Sequence, residues 1–201
     1  MAHAQALDPE RGHRVFARRG PQQQRFEATA RAGEHGAHAR RILLVHGGRE
    51  GGRTQVLVDA VAGGVRELAN DVMTIQRGDA SLHIAGVDDI WENRHRLDRV
   101  LDRLPSEGAA VLLAHEPDFA DESAATGRFG LQLSGHSHGG QCVMPGGYMP
   151  LLPDLGRKYP SGLYRVGEMW QYTNRGLGMV WAPQVRFNCR PEITILTLTT
   201  A

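Results

Sequence analysis

From residue 42 onward, short apolar runs alternate with stretches in which apolar residues recur every three or four positions. Short apolar runs predict strands, and the wider spacing predicts helices that bury one face. Two β-rich runs within 72–87 are joined by Gly78-Asp79, which predicts a hairpin. The other expected strands lie at 42–46, 109–115, 130–136, 162–167, 169–174 and 192–199, and the expected helices at 54–70 and 92–104.

The order of these elements indicates an α/β protein. Strands and helices alternate in the middle of the chain, and a strand-rich end without a long helix follows. Two sheets packed between helices satisfy this order better than one doubly wound sheet.

The first 40 residues differ in composition from the rest of the chain. They are rich in Arg, Ala, Gly and Gln and contain few large apolar side chains. Such a segment buries too little apolar surface to offset the entropy lost on ordering. We therefore predict a poorly ordered segment over 1–40 and a folded domain over 41–201.

The charge of the chain narrows the classes of partner. The formal net charge is +1 at pH 7, which gives no global attraction to nucleic acid, so specific nucleic-acid binding is not expected.

No apolar run reaches the roughly 18 residues of a membrane-spanning helix, and no secretory signal is present. We expect no transmembrane segment and a location that is cytoplasmic or peripheral to the membrane.

The stretch LQLSGHSHGGQ, residues 131–141, supports two different kinds of chemistry. It contains G-x-S-x-G, which in α/β serine hydrolases places the serine on a turn between strand and helix. Ser137 would then be the nucleophile. A Gly- and Pro-rich stretch follows, however, through which a helix cannot continue. The only histidine after Ser137 is its near neighbour His138, so the general base has no candidate in the expected order.

The same stretch also supplies a pair of possible metal ligands. The side chains of His136 and His138 point the same way from an extended segment. His115 ends the preceding apolar strand and can reach the same edge, because open α/β sheets place ligand sites beyond the carboxyl ends of their strands. Three imidazoles at one edge suit Zn, Mn, Fe or Ni. The alternative is that His115 is a satisfied core histidine and the H-x-H pair a chance surface feature.

Several segments in order resemble one protein family. LLAHEPDFA and LQLSGHSHGGQ resemble the C-terminal half of calcineurin-like metallophosphoesterases, and most closely a small bacterial subgroup that is often membrane-associated. The other segments similar to that subgroup are IAGVDDIWE (84–92), SGLYRVG (161–167), NRGLG (174–178) and RPEITILTL (190–198). The resemblance implies a four-layer α/β/β/α sandwich and a pair of divalent metal ions. It further implies that His115 and His136 bind one metal ion and that His138 binds the other.

The motifs that this family carries in its first half do not occur in the sequence. There is no D-x-H, no G-D-x-x-D and no G-N-H-D or G-N-H-E, and VHGGRE at 45–50 does not match the last of these. The bridging carboxylate, the Asn ligand and the histidine that helps to protonate the leaving group are therefore missing. Our hypothesis is a C-terminal part of a metallophosphoesterase with a replaced N-terminus, so that the sandwich is incomplete there and the metal centre at most partial.

The activity implied by the resemblance is hydrolysis of phosphomonoester or phosphodiester bonds, in a chain that is truncated or impaired. A non-catalytic metal-binding remnant is the alternative, and the serine hydrolase is disfavoured. The resemblance suggests a lipid- or nucleotide-linked phosphate as the substrate. Loop residues are expected on the substrate side, where an arginine can hold a phosphate bidentately, although turn and cap formation explains them equally well. These residues are Asp88, Asp89, Asn174 and Arg175.

Overall fold

The computed structural model of the chain describes residues 66–179 and 184–200, together with the backbone of two strands nearer the start. The strands are β1 Arg14–Ala17, β2 Phe26–Arg31, β3 Asp71–Arg77, β4 Ala80–Gly86, β5 Ala109–Leu113, β6 Leu131–Ser134, β7 Gly162–Val166, β8 Met169–Thr173 and β9 Ile195–Thr200. The α-helices are α1 Leu97–Arg103 and α2 Ala120–Ala125, and 3-10 turns cover Pro117–Phe119, His138–Gly140 and Pro145–Gly147.

A six-stranded mixed sheet in the order β3-β4-β5-β6-β8-β7 forms the centre of the described region. Its middle strands β4, β5, β6 and β8 are parallel neighbours. Antiparallel pairs close both edges through β3 and β7. A second, antiparallel sheet has the order β1-β2-β9. The predicted α/β architecture with two sheets is confirmed.

Successive residues of the central strands face two different apolar cores. Leu112 of β5 is fully buried and packs with Val100 of α1 on the helix-covered face. The next residue, Leu113, belongs to the core on the other face, against which Leu198 of β9 packs. Helices, the six-stranded sheet and β9 of the second sheet thus follow one another in layers. Both faces of the parallel strands are covered, as a parallel sheet requires.

The predicted hairpin is confirmed, because β3 and β4 pair antiparallel from Asp71–Gly86 to Arg77–Ala80. Gly78 in its turn has φ +60, a conformation that costs glycine little.

The two predicted helices differ from the observed structure. Residues 66–70 are not helical, and the rest of the predicted helix 54–70 lies outside the described residues. Asn70 instead has φ +54, and its side-chain oxygen accepts hydrogen bonds from the main-chain N–H of Asp88 at 3.1 Å and of Arg96 at 2.7 Å. The amide side chain thus joins the chain after β4 to the start of α1.

The helix predicted at 92–104 begins only at Leu97. A turn occupies the residues before it, in which the Asp89 carboxylate accepts a hydrogen bond from the Glu92 N–H at 2.8 Å. This side-chain bond competes with helix formation, as aspartate does at turns.

The predicted strand at 42–46 lies outside the described residues, and so does most of the segment 1–40. Within that segment β1 and β2 are described, and β2 pairs with β9 from Phe26–Thr200 to Arg31–Ile195. Among the described helices, none is long and apolar enough to cross a membrane.

Candidate metal centre

Three parallel strands deliver polar residues to one edge of the six-stranded sheet. Strands β4, β5 and β6 end at Gly86, Leu113 and Ser134, and the first two ends are directly paired. Asp88, His115 and His136 each follow two residues after one of these ends. Because the carboxyl ends of parallel strands share an edge, the loops that bear these residues meet there.

Two of the predicted histidines come together at this edge with a glutamate. One ligand atom each of His115, Glu116 and His136 lies within 4.8 Å of the others. The two imidazole rings meet edge to face, with centroids 5.0 Å apart. The main chain supports this contact, because the Gly135 N–H donates to the His115 carbonyl at 3.1 Å. Two imidazoles and one carboxylate are a donor set that suits Zn, Fe or Mn, so these residues fit a divalent metal ion.

Glu116 was not predicted from the sequence. Its side chain is buried, with 1% of its surface exposed, and its carboxylate accepts a hydrogen bond from the main-chain N–H of Ile90 at 3.4 Å. Burial, together with the nearby charge of Asp89, raises the pKa of Glu116 to about 7. A carboxyl group so deep needs a charged or hydrogen-bonding partner. The signal available in the sequence was a charged residue directly after a buried strand, next to a histidine.

A main-chain hydrogen bond sets the tautomer of His136. Its Nε2 lies 2.9 Å from the carbonyl oxygen of Asp154. A carbonyl can only accept, so Nε2 carries the proton and Nδ1 of the neutral ring keeps a lone pair. Burial lowers the pKa of His136, which favours the neutral form that binds metals. Its φ of +63 is unusual for a residue with a side chain and is of the kind found at functional sites.

His138 lies outside the group of three. It also has a left-handed backbone, with φ +51, and its Nδ1 lies 3.3 Å from the Gln141 side-chain oxygen. Burial lowers the pKa of His138 as well. Its assignment to a second metal ion stays a prediction.

Arg186, which lies before β9, forms hydrogen bonds to the loop that carries His138. The sequence analysis did not predict this role. The Arg186 guanidinium donates to the carbonyl of His138 at 3.1 Å and to that of Arg175 at 2.8 Å. Buried Cys189 donates from its Sγ to the His138 carbonyl as well, at 3.3 Å. These bonds hold the loop at 135–141, here called the histidine loop, against the loop after β8.

Asp88 and Asp89 form the turn between β4 and α1. The Asp88 carboxylate accepts from the Asp89 N–H at 2.7 Å, and both carboxylates lie 3.7 Å from nitrogens of Arg94. Asp89 is buried and close enough to Glu116 to raise the pKa of that carboxyl. The turn role predicted as an alternative is therefore present, at the border of the candidate metal site.

Asn174 and Arg175 follow β8 and are ordered by residues near β9. The Asn174 amide donates to Thr194 Oγ1 at 2.9 Å. Arg175 donates from Nε to the Glu192 carboxylate at 2.7 Å. Its aliphatic part lies against Gly139, where an added Cβ would come within 2.4 Å of Arg175 Cγ. Arg175 therefore contacts the histidine loop directly, and Asn174 precedes it.

Ser137 lacks the surroundings of a nucleophile. Its side chain is buried; the hydroxyl donates to the Pro160 carbonyl and accepts from the Gly139 N–H. The 3-10 turn His138–Gly140 follows it, and no α-helix lies between there and β7. The chain thus forms no nucleophile elbow at this position.

Sequence comparison relates the chain to named proteins. It is 40% identical over 139 residues to the uncharacterised metallophosphoesterase YkuE of Bacillus subtilis, covering 68% of this chain and 48% of that one. It is 33% identical over 136 residues to the phosphodiesterase YaeI of Escherichia coli, covering 67% and 48%. A transmembrane protein with a metallophosphoesterase domain from Danio rerio is 31% identical over 147 residues, covering 67% and 32%.

The chain spans about half the length of the first two of these relatives. No family model matches it, and no solved structure matches it either. YkuE and YaeI are nevertheless named as a metallophosphoesterase and a phosphodiesterase, and two of the histidines that the sequence singled out, His115 and His136, lie together at one edge of an α/β fold. On these grounds the chain belongs to the calcineurin-like metallophosphoesterase family.

Proposed function

We propose that the chain contributes a metal centre for the hydrolysis of phosphomonoester or phosphodiester bonds, with His115, Glu116 and His136 as ligands. The observation that carries the proposal is the approach of these three donor atoms to within 4.8 Å of one another. A bound divalent ion supplies polarisation of a phosphoryl oxygen and acidification of a water molecule. Manganese, iron, zinc and nickel are the candidates. His138 is the proposed ligand of a second ion, which the chain would retain at most weakly because the motifs that supply the bridging carboxylate do not occur in its sequence.

Arg175 is proposed to bind the phosphate group. Its Nε is held by Glu192 and its aliphatic part by Gly139, so the guanidinium is fixed beside the histidine loop. A guanidinium fixed through Nε keeps its terminal Nη groups for an oxyanion. The ester group that leaves is proposed to be lipid- or nucleotide-linked, as the resemblance to the family suggests.

A second candidate function is metal binding without turnover. It is favoured by one feature of the sequence, the lack of D-x-H, G-D-x-x-D and G-N-H-D or G-N-H-E. These motifs provide the family with its bridging carboxylate and with a proton for the leaving group. Under either candidate, we propose that the chain is impaired as a phosphoesterase.

The test is metal content and hydrolysis of bis-p-nitrophenyl phosphate by the full chain, with and without EDTA. His136→Ala should abolish metal retention and any metal-dependent turnover. Ser137→Ala should retain both, since its hydroxyl bonds only to main-chain groups in the structure. Turnover that survives EDTA but not Ser137→Ala would reject the metal centre and restore the serine nucleophile.

A further inference from the structure

Trp91 presents its indole to solvent beside a proposed metal ligand. Its side chain is 48% exposed, and its ring centroid lies 5.2 Å from that of His136, edge to face. An indole is large and apolar, and leaving half of it in water forgoes the stabilisation that burial gives. Single exposed apolar side chains are common on protein surfaces, so what distinguishes Trp91 is its ring contact with His136.

The turn that carries Trp91 is fixed on both sides. The Asp89 carbonyl accepts from the Arg94 N–H at 2.9 Å, and the Ile90 carbonyl accepts from the Asn93 N–H at 3.0 Å. The main-chain N–H of Ile90 also donates to the buried Glu116 carboxylate at 3.4 Å, and the N–H of Trp91 lies close enough to lower the pKa of that carboxyl against the effect of burial. The backbone at Trp91 is therefore ordered without help from a ligand, and the contact with His136 orients the indole; both lower the entropy lost when a ligand binds.

Edge-to-face ring contacts run in series through this site. His115 meets His136 at 5.0 Å with 69° between the planes, and His136 meets Trp91 at 5.2 Å with 70°. The series reaches Trp91, whose exposed side is open to a further ring. Aromatic pairs gain attraction from their quadrupoles beyond the area they bury.

The segment that accepts the Nε2 proton of His136 also exposes an apolar residue. Asp154 accepts the Nε2 proton of His136, and the next residue, Leu155, is 37% exposed with φ +61. A left-handed backbone is rare for a residue of this size and marks a constraint imposed by its surroundings. A Cβ at Gly156 would lie 3.4 Å from the His136 ring, so this segment borders the ring closely. Exposed apolar side chains, Trp91 and Leu155, thus lie on both of the segments that contact the His136 ring.

We propose that Trp91 binds the ester group of the substrate and selects a planar aromatic group there. This inference rests on the proposed function, since it places the phosphate at the His115, Glu116 and His136 cluster. The ring of the ester group then packs on the indole while the phosphate stays at the metal ligands. Trp91 is a specificity residue that touches substrate and holds no metal.

The test measures binding rather than turnover, by calorimetry on the full 201-residue chain. Mn²⁺ is titrated first, followed by methylphosphonate, cyclohexylphosphonate and phenylphosphonate, which cannot be hydrolysed as esters. Phenylphosphonate should bind about threefold to tenfold more tightly than the other two, the range expected for one aromatic pair. Trp91→Phe should keep most of this preference, and Trp91→Ala should remove it.

Ile75→Ala is the matched control, because Ile75 is 43% exposed but lies on β3 opposite Leu82, towards the start of β4. It should leave the preference unchanged. Failure of the unaltered chain to bind Mn²⁺ or any phosphonate would overturn the proposed function itself. Normal binding of Mn²⁺ and methylphosphonate without a preference for the phenyl ring would overturn the inference alone. An equal gain with cyclohexylphosphonate would also overturn it, since it would show apolar contact without ring selection.

Discussion

His136 donates its Nε2 proton to the main-chain carbonyl of Asp154 at 2.9 Å, and this bond leaves Nδ1 as the nitrogen that can bind a metal ion. Metal-binding histidines commonly donate their second nitrogen to a carbonyl or carboxylate, which fixes the ring in place. The Asp154 carbonyl lies in the loop before β7, 18 residues along the chain from His136. A loop far from the ligand in sequence therefore sets the ligand's orientation.

His136→Gln should lose metal affinity although it can retain a donor for the Asp154 carbonyl. Loss of a hydrogen-bond partner of a ligand typically costs 10- to 100-fold in affinity, and loss of the ligand should exceed that. His138→Ala is the neighbouring control, because His138 lies outside the group of close donor atoms. It should change the affinity for the first Mn²⁺ by less than about threefold, well below the cost of a lost partner. Calorimetric titration measures the Mn²⁺ affinity of both variants. Equal losses of affinity in His136→Gln and His138→Ala would mean that His138 binds the first ion.

Glu116→Gln should make the stability of the metal-free chain less dependent on pH. The pKa of Glu116 is raised from 4.5 to about 7. A glutamate with a raised folded-state pKa contributes stability that is fully present below its unfolded value and is lost as the pH rises through the folded value. Between pH 4.5 and 8 the free energy of unfolding of the unaltered chain should therefore fall by roughly 2–3 kcal/mol relative to that of Glu116→Gln. This figure follows from about 1.4 kcal/mol for each pKa unit.

Urea unfolding in EDTA at several pH values checks this expectation. Glu168→Gln serves as the control, because the Glu168 side chain is 80% exposed and its removal should leave the pH dependence unchanged. Added Mn²⁺ should restore the stability of the unaltered chain above pH 7 more than that of Glu116→Gln, since a ligand stabilises the state that binds it. Parallel pH profiles for the unaltered chain and Glu116→Gln would show that the carboxyl is not destabilised by burial.

The sequence predicted the edge of the sheet where the site lies, and it missed the residue that completes the group. His115 and His136 were expected together because each follows an apolar run, and strand ends of a parallel sheet meet at one edge. Glu116 was missed because the pattern of apolar positions does not show that a charged residue is buried. The turn whose Ile90 N–H donates to the Glu116 carboxylate approaches it from a different part of the chain. The late start of α1 has a similar cause, since Asp89 bonds to Glu92 across a turn and apolar spacing does not report side-chain bonds to the main chain.

Gly139→Ala should destabilise the chain more than a glycine substitution at the same backbone angle elsewhere. Gly139 has φ +63, and an added Cβ would meet Arg175 Cγ at 2.4 Å and Cys189 Sγ at 3.0 Å. Gly127 has φ +64 with nothing within 4 Å of its added Cβ, so Gly127→Ala isolates the backbone cost. We expect Gly127→Ala to lower the free energy of unfolding by about 1–2 kcal/mol. Gly139→Ala should lower it by about 1–3 kcal/mol more, the usual cost of overpacking.

Chemical unfolding of both variants measures the difference in the free energy of unfolding. Because Arg175 Nε donates to Glu192 at 2.7 Å, a shift of the Arg175 side chain away from Gly139 should strain or break this bond. Gly139→Ala should therefore also weaken phosphonate binding if Arg175 holds the phosphate, whereas Gly127→Ala should not. Equal destabilisation by the two substitutions would mean that Arg175 moves aside freely.

The 201-residue chain should be a poor phosphoesterase that binds at most about one metal ion. Two-metal hydrolysis requires ions roughly 3.5–4 Å apart that act on both the attacking and the leaving oxygen, and the sequence lacks the motifs from which the family takes its bridging carboxylate. It also lacks the G-N-H motif whose histidine helps to protonate the leaving group. General acid catalysis alone is typically worth about 10²–10⁴-fold in rate. Turnover of bis-p-nitrophenyl phosphate with added Mn²⁺ should thus be slow, and metal analysis after desalting should find one ion per chain or less. Rapid, EDTA-sensitive turnover with two ions per chain would show that residues outside the described region provide the missing ligands.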